Sequence, residues 1–327
     1  MPLKQFIPLS EPKPKFLITD TVPEGFIEGF EKLGFEVDYR QKPTNSELFE
    51  IAGQYTGIVV NTSLILTKEV LDKAILLKYI LRPGSGLDNV DVDYAKAKGI
   101  EIFNSPEANA DAVAEHVIGM IFSLLDFIPR ASEQVKQLQW IRQPNNGTLF
   151  KGKTIAIIGY GNTGSALAKK LSGFGVHILV YDKYKKGFGN ETLREASMRE
   201  IFDKADLVSL HIPLTNETEY LVNDGFIDNF KKPIYLLNTS RGKNVKLDAL
   251  IHGLKAGKIL GVALDVLENE NIISYSAKEK QQLQTLITAG NVIVTPHIAG
   301  WTKESREQIF MMVLEKFGNY FISHEGR

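Results

Sequence analysis

Four stretches of this 327-residue chain carry side chains able to act in concert. The first is Gly159-Tyr-Gly161-Asn-Thr-Gly164, which follows an apolar run at Thr154–Ile158 and opens a helical one at Ser165–Gly173. Glycines at this spacing allow a tight turn, close approach of a pyrophosphate and close packing of helix on strand. The free N–H groups at the helix start then face the anion. Tyr181-Asp182 ends the next apolar run, where a carboxylate would accept hydrogen bonds from ribose hydroxyls and repel a 2′-phosphate. This favours NAD over NADP, although Lys183, Lys185 and Lys186 could partly offset the charge.

The other three stretches are Asn238-Thr-Ser-Arg241-Gly, Leu264-Asp265-Val-Leu-Glu-Asn-Glu270 and Thr295-Pro-His297-Ile-Ala-Gly300. A guanidinium can grip a carboxylate with two hydrogen bonds and polarise a nearby carbonyl. An imidazole can give or take a hydroxyl proton, and a glutamate beside it holds its pKa high enough to do so. An Arg, a Glu and a His at strand ends therefore suit redox chemistry on a 2-keto acid. Glu268 and Glu270 both qualify, in a run that could equally be a solvated loop. The remaining histidines, His116, His177, His211, His252 and His324, read as structural. His211 is the exception, because its strand end borders the expected nucleotide.

These residues need elements to position them. Short β-rich runs alternate with helical stretches along the chain, the pattern of parallel α/β sheets. Early strands are expected at Lys15–Thr19, Phe35–Tyr39, Gly57–Val60, Tyr79–Leu81 and Ile100–Phe103. Later and more apolar ones fall at Thr154–Ile158, Ile178–Tyr181, Leu207–His211, Ile234–Asn238, Leu260–Val266 and Val292–Thr295. Helices are expected at Asn109–Asp126, Arg130–Trp140, Ser276–Leu286 and Lys303–Ile322, among others. Two α/β lobes flanking a cleft form the working architecture, in keeping with a chain too long for one core.

Composition narrows the function classes. With no cysteine, the chain has no disulfide scaffold, cysteine nucleophile, iron–sulfur cluster or thiolate zinc site. It carries 38 basic and 39 acidic residues, which leaves no electrostatic footprint for nucleic acid. Met1–Asp20 holds four prolines and no unbroken apolar core, so no leader peptide is expected. The longest apolar stretch, Val117–Ile128, is broken by Ser123 and Asp126, too short for a membrane span. A cytoplasmic protein acting on a small molecule, with no metal, is the expectation.

The motifs together resemble the D-isomer-specific 2-hydroxyacid dehydrogenases. The resemblance rests on Arg82-Pro-Gly-Ser-Gly-Leu-Asp-Asn-Val-Asp91, Asn104-Ser-Pro-Glu-Ala-Asn-Ala-Asp-Ala-Val-Ala-Glu115, the glycine fingerprint, His211-Ile-Pro-Leu-Thr215 and the three later patches. It implies a Rossmann NAD domain, residues 105–298, inserted into a flavodoxin-like catalytic domain made of residues 1–104 and 299–327. Both lobes would be doubly wound parallel sheets. The break at Gln143–Gly147 then becomes a loop within the NAD lobe. Arg241 resembles the substrate-binding arginine, Glu270 the acid of the pair, and His297 the acid/base. The distance along the chain from Arg241 favours Glu270 over Glu268.

By the same resemblance, Ser85 and Gly86 hold the substrate carboxylate through backbone N–H groups, and Ser85 also lies near the cofactor. Asn61 stands at the substrate position. Gly159, Gly161, Asn162, Thr163 and Gly164 form the pyrophosphate turn, and Asp182 takes the ribose. His211, Ile212, Pro213 and Thr239 line the nucleotide wall. Asp265 positions the nicotinamide amide, and His297 to Gly300 line its pocket. A homodimer through the segment Arg130–Leu149 is also implied.

Three departures from the family pattern stand out. Asn271 replaces the usual proline after the catalytic glutamate, and an extra Lys-, Gln- and Glu-rich helix follows it. Asn61 stands where phosphoglycerate-oxidising members commonly place an arginine, with Lys68 and Arg82 as possible substitutes. The chain stops at Arg327, so the regulatory domain of longer phosphoglycerate dehydrogenases, and feedback by serine through it, is not expected. Glu270 also argues against formate dehydrogenases, which share the fold but place Gln beside the His. The expected activity is reversible hydride transfer between NAD(H) and a small 2-hydroxy acid of the 3-phosphoglycerate, glycerate, hydroxypyruvate or glyoxylate type. The runner-up is a non-catalytic NAD(H)-binding protein like the corepressors of this fold; the balanced charge weighs against it.

Overall fold

The computed structural model describes residues 13–324. Most of Met1–Asp20, on which the expectation of no leader rests, lies outside the described residues. Contacts divide the chain into two compact units, Met1–Asn109 with Lys303–Arg327, and Ala110–Thr302. Sequence reasoning sets the junctions at 104/105 and 298/299, a few residues earlier in each case. Residues 105–109 stay with the first unit because Ser105 Oγ accepts from the Gly84 N–H (2.9 Å) and donates to the Ile309 carbonyl (2.8 Å). The Ser85 hydroxyl likewise bonds Asn109 Oδ1 at 2.8 Å. At the second junction, the Ala299 N–H donates to Asp265 Oδ2 (2.8 Å), inside the second unit.

The first unit runs β1 (Lys15–Ile18), α1 (Phe26–Lys32), β2 (Glu36–Tyr39), α2 (Asn45–Ile51), β3 (Gly57–Val59), α3 (Lys68–Lys73), β4 (Tyr79–Arg82), α4 (Val92–Ala97) and β5 (Glu101–Asn104). All five strands are parallel in the order β2-β1-β3-β4-β5, the flavodoxin-like winding. Side chains alternate across a strand, so neighbours feed two cores. Leu17 and Ile80 enter one, while Phe16, Ile18, Tyr79 and Leu81 enter the other. The second core is closed by the C-terminal helix, Lys303–His324, whose Phe310, Val313, Leu314 and Phe317 pack beside Phe16 and Phe30.

The second unit runs α5 (Ala110–Leu125), α6 (Ile128–Lys136), β6 (Thr154–Ile158), α7 (Asn162–Leu171), β7 (His177–Tyr181), β8 (Leu193–Glu195), α8 (Met198–Lys204), β9 (Leu207–Leu210), α9 (Asp224–Asp228), β10 (Ile234–Asn238), α10 (Leu247–Lys255), β11 (Ile259–Leu264), α11 (Ala277–Thr288) and β12 (Val292–Val294). Its parallel sheet has the order β12-β11-β10-β9-β6-β7-β8. This is the dinucleotide-binding order with one further strand at the β12 edge. Ile155 and Ile157 of β6 face one core and Ala156 and Ile158 the other, so both faces of the sheet are covered. Two doubly wound parallel α/β sheets are therefore present.

Two details differ from the sequence expectation. The helix expected at Arg130–Trp140 stops at Lys136, because Leu138 takes a left-handed backbone (φ 60). Strand β8 is not legible in the sequence, since Leu193-Arg-Glu195 is short and mostly polar and is ordered by pairing with β7.

Candidate active site

Each residue singled out in the second unit lies at or beyond the carboxyl end of a parallel strand. Gly159 follows β6, Asp182 follows β7, His211 follows β9, Arg241 lies beyond β10, Asp265 follows β11 and His297 lies beyond β12. The strand order reverses between β6 and β9, where the connections leave in opposite directions and open a crevice.

The glycine turn fits no larger residues at two points. Gly159 has φ 100, and a Cβ there would sit 2.2 Å from the His211 carbonyl oxygen. A Cβ at Gly164 would lie 2.1 Å from the Gly159 carbonyl oxygen. At Gly161 the same atom meets nothing within 4 Å, so this face is open. Asn162 and Thr163 begin α7 immediately after it. His211 is buried beneath the turn, with Nε2 2.8 Å from the Ser209 hydroxyl and Nδ1 3.2 Å from the Thr163 hydroxyl. Burial pushes its pKa down to about 4, so it is a neutral brace for the helix start. Ile212 and Pro213 continue this wall, where the Pro213 carbonyl accepts from the Thr218 hydroxyl (2.7 Å).

Asp182 is held by backbone amides: Tyr160 N–H donates to one oxygen (2.7 Å), Tyr184 and Lys185 N–H to the other (2.8 Å each). Partial burial raises its pKa, but these three donors outweigh it and hold the carboxyl below its ordinary value. The neighbouring lysines do not offset the charge by pairing with this carboxylate. Lys183 pairs with Glu217, Lys185 donates to the Tyr160 carbonyl (2.8 Å) and Lys186 to the Asp182 carbonyl (3.1 Å). Asp182→Ala should raise the KM for NADH about tenfold and narrow the discrimination against NADPH, as steady-state kinetics with both would read.

Arg241 sits on a loop anchored by two buried asparagines. Asn238 Nδ2 donates to the Arg241 carbonyl (2.9 Å), and the Ser240 hydroxyl reaches both Asn238 Oδ1 (2.7 Å) and Asn244 Oδ1 (3.2 Å). The guanidinium is braced by Nη1 donating to the Ser240 carbonyl (2.7 Å). Gly242 next to it lets two backbones meet, since a Cβ there would be 1.8 Å from the Leu267 carbonyl oxygen. Thus the arginine loop and the Leu267–Glu270 strap lie directly against each other.

The strap resolves which glutamate faces His297. Glu270 Oε2 lies 2.9 Å from His297 Nδ1. Glu268 points elsewhere, accepting from the Leu247 N–H (2.5 Å) and the Tyr220 hydroxyl (3.2 Å). The hydrogen bond that His297 Nδ1–H donates to Glu270 raises the His297 pKa; burial and the like charge of Arg241 oppose it, while the charges of Glu270 and Asp265 add to it. Nε2 makes no hydrogen bond among the described residues.

His297 adopts a left-handed backbone, φ 55, which Asp265 sustains. The buried Asp265 carboxylate accepts from the Thr295 hydroxyl (2.6 Å) and from the Ile298 (2.9 Å) and Ala299 (2.8 Å) N–H groups. Its carbonyl accepts from the His297 N–H (2.8 Å). In the structure, this carboxylate holds the histidine loop that continues to Gly300. Sequence reasoning missed Thr295 as part of this clamp, and His116, whose Nε2 lies 3.2 Å from the Thr295 hydroxyl. The Thr-Pro-His spacing carried a signal for the first; nothing local marked the second.

Asn61, Ser85 and Gly86 belong to the first unit, in loops after β3 and β4. Asn61 Oδ1 accepts from the Ser63 N–H (2.9 Å), the Ser63 hydroxyl (2.7 Å) and the Leu64 N–H (3.2 Å), so it shapes its own turn. The Ser85–Gly86 loop is fixed by Asn104 Nδ2 donating to the Ser85 carbonyl (2.9 Å) and by the Ser85–Asn109 bond.

Residues 118–299 match the family model for the D-isomer specific 2-hydroxyacid dehydrogenase, NAD binding domain. The chain belongs to this family. A D-3-phosphoglycerate dehydrogenase of Methanocaldococcus jannaschii is 34% identical over 307 residues, 92% of this chain and 56% of that one. This chain therefore spans little more than half the length of that relative. A hydroxypyruvate reductase of Thermotoga maritima is 33% identical over 83% of this chain and 86% of its own. Among solved structures, D-lactate dehydrogenase from Aquifex aeolicus, complexed with NAD and lactic acid, superimposes with a TM-score of 0.81 at 31% identity, covering 94% of this chain and 96% of that one.

The cofactor is NAD, and the residues present fit it. Gly161 presents an open face at the helix start, and Asp182 offers a charged acceptor for ribose hydroxyls. The Thr239 hydroxyl is buried with no hydrogen-bond partner among the described residues, as expected where a bound nucleotide completes the set.

Proposed function

We propose that this protein is an NAD-dependent D-2-hydroxyacid dehydrogenase, acting reversibly on a small 2-keto or 2-hydroxy acid of the 3-phosphoglycerate or glycerate, hydroxypyruvate or glyoxylate type. The observation that carries this reading is the 2.9 Å contact between His297 Nδ1 and Glu270 Oε2, beside the Arg241 loop. With Glu270 accepting from Nδ1–H, the Nε2–H of protonated His297 donates to the carbonyl oxygen during reduction. In oxidation, neutral Nε2 removes the hydroxyl proton. Arg241 grips the substrate carboxylate and polarises the carbonyl. Bound NAD(H) supplies or accepts the hydride. Asn61, already engaged in its own turn, offers no cation for a substrate phosphate, which favours the unphosphorylated acids.

NADH oxidation with glyoxylate, hydroxypyruvate, pyruvate and 3-phosphohydroxypyruvate tests the proposal. Turnover with one or more of these acids is expected. Tight NADH binding with no turnover on any of them would overturn it in favour of a non-catalytic NAD(H)-binding protein.

We also propose a homodimer through the segment Arg130–Leu149, cytoplasmic in setting. Leu138, Trp140 and Leu149 there are 96%, 76% and 76% exposed, an apolar surface that a second copy would cover. Sedimentation should give a dimer, converted to monomer by Leu138→Asp with Trp140→Ser.

A further inference from the structure

The Leu267–Glu270 strap that presents the carboxylate to His297 is backed by a cavity of about 580 Å³. Leu267, Glu268, Asn269, Tyr275 and Glu279 are among the residues lining it. A segment that borders a solvent-open pocket gains little from packing on that side, so directional bonds must hold it. Glu268 supplies one tether through Leu247 and Tyr220. Asn269 supplies the other, its hydrogen bonds among the described residues going to the segment after the strap: Nδ2 donates to Glu279 Oε1 (3.0 Å), the carbonyl accepts from the Tyr275 hydroxyl (2.5 Å), and Oδ1 accepts from the Asn271 N–H (3.0 Å).

The far end of this tether is itself fixed. Glu279 closes a capping box at the start of α11, accepting from the Ser276 N–H (2.8 Å) and hydroxyl (2.7 Å). Its second oxygen is the one on Asn269. Gln282, one turn on, donates to Asp248 Oδ1 (2.7 Å) and docks α11 on α10. Tyr275 is 9% exposed, and burial, then the charges of Glu279, Glu268 and Glu270, push its phenol up, so it stays a donor at working pH.

We propose that Tyr275 and Glu279 are positioning residues for the Glu270–His297 pair, acting through Asn269 to hold Glu270 within hydrogen-bonding distance of the imidazole. Residues 271–288 thereby serve as a brace for the acid/base centre. This rests on the dehydrogenase reading above. Glu270 is only one residue from Asn269, so releasing the tether loosens the carboxylate while leaving Arg241 and the nucleotide residues in place. Weakening the carboxylate–imidazole bond lowers the His297 pKa and the fraction of acid available for reduction.

Tyr275→Phe removes one hydroxyl and Asn269→Ala one amide, so each spares the α11 capping box. Each should lower kcat for keto-acid reduction about tenfold, leave the KM for the acid and the affinity for NADH within about twofold, and move the alkaline limb to lower pH. The effect should vanish in the Glu270→Gln background, because the tether then holds nothing that matters. An equal loss in both backgrounds, or an unmoved limb, overturns the proposal. The His297 imidazole titration, followed by NMR, separates the two layers. If no keto acid is turned over, the dehydrogenase reading fails, while a lowered His297 pKa in Tyr275→Phe still supports the brace and an unchanged one overturns it.

Discussion

Replacing His297 by alanine should lower kcat for reduction of the preferred 2-keto acid about 10²–10⁴-fold while leaving NADH binding intact. The side chain is half exposed and its loop is fixed by Asp265 through backbone and hydroxyl donors that the substitution does not touch. Folding should therefore change little. On the proposed mechanism, what is lost is the proton donor at the carbonyl oxygen. Glutamine at this position keeps a polar group but carries no charge and no transferable proton, so it should not restore the rate. On the proposed mechanism His297 and Glu270 act as one unit, so the His297→Ala/Glu270→Gln double variant should lose no more than His297→Ala alone. Steady-state rates give kcat, and quenching of protein fluorescence by NADH gives the binding control. A variant with near-normal kcat at neutral pH would remove His297 from the acid/base role.

Arg241→Ala should raise the KM for the acid and lower kcat together, with a combined loss in kcat/KM of about 10²–10³-fold. Two charge-assisted hydrogen bonds to the carboxylate disappear, each worth about 1.5–3 kcal/mol before water replaces part of it. The ground state loses its anchor and the transition state also loses polarisation of the carbonyl, so neither constant escapes. Arg241→Lys should recover only part of this. An ammonium keeps the charge but cannot reproduce the planar fork, and the brace to the Ser240 carbonyl depends on that geometry. NADH affinity should stay near normal in both variants. If kcat/KM for the acid were unchanged in Arg241→Ala, carboxylate recognition would have to lie elsewhere.

The fold was largely readable because parallel strands buried on both faces appear as continuous apolar runs. Thr154–Ile158 and Ile234–Asn238 match the structure residue for residue. The strand Leu193–Glu195 was not readable, since its order comes from a neighbour rather than from its own residues. The site was readable where backbone geometry demands a residue type, as at Gly159 and Gly164. It was ambiguous where two equivalent side chains compete. Glu268 and Glu270 differ only in where the strap aims them, and that is set by Leu247, Tyr220 and α11, in contacts that span 10 to 48 residues of chain. Gly242 shows the same limit: its neighbour Arg241 draws attention, yet the need for glycine arises from the Leu267 carbonyl 25 residues away.

The pairing of Glu270 with His297 is the centre of the account, and the pH dependence of kcat/KM for keto-acid reduction tests it most directly. On the proposed mechanism reduction uses the protonated imidazole, whose pKa the Glu270 hydrogen bond raises, so the rate should hold below that raised value and fall as pH rises through it. Glu270→Gln removes the carboxylate whose hydrogen bond and charge raise it, so the alkaline limb should move to lower pH, with oxidation of the hydroxy acid gaining at the same acidic end. Glu268→Gln should leave the limb in place. A limb unmoved by Glu270→Gln, or moved equally by both substitutions, would contradict the assignment.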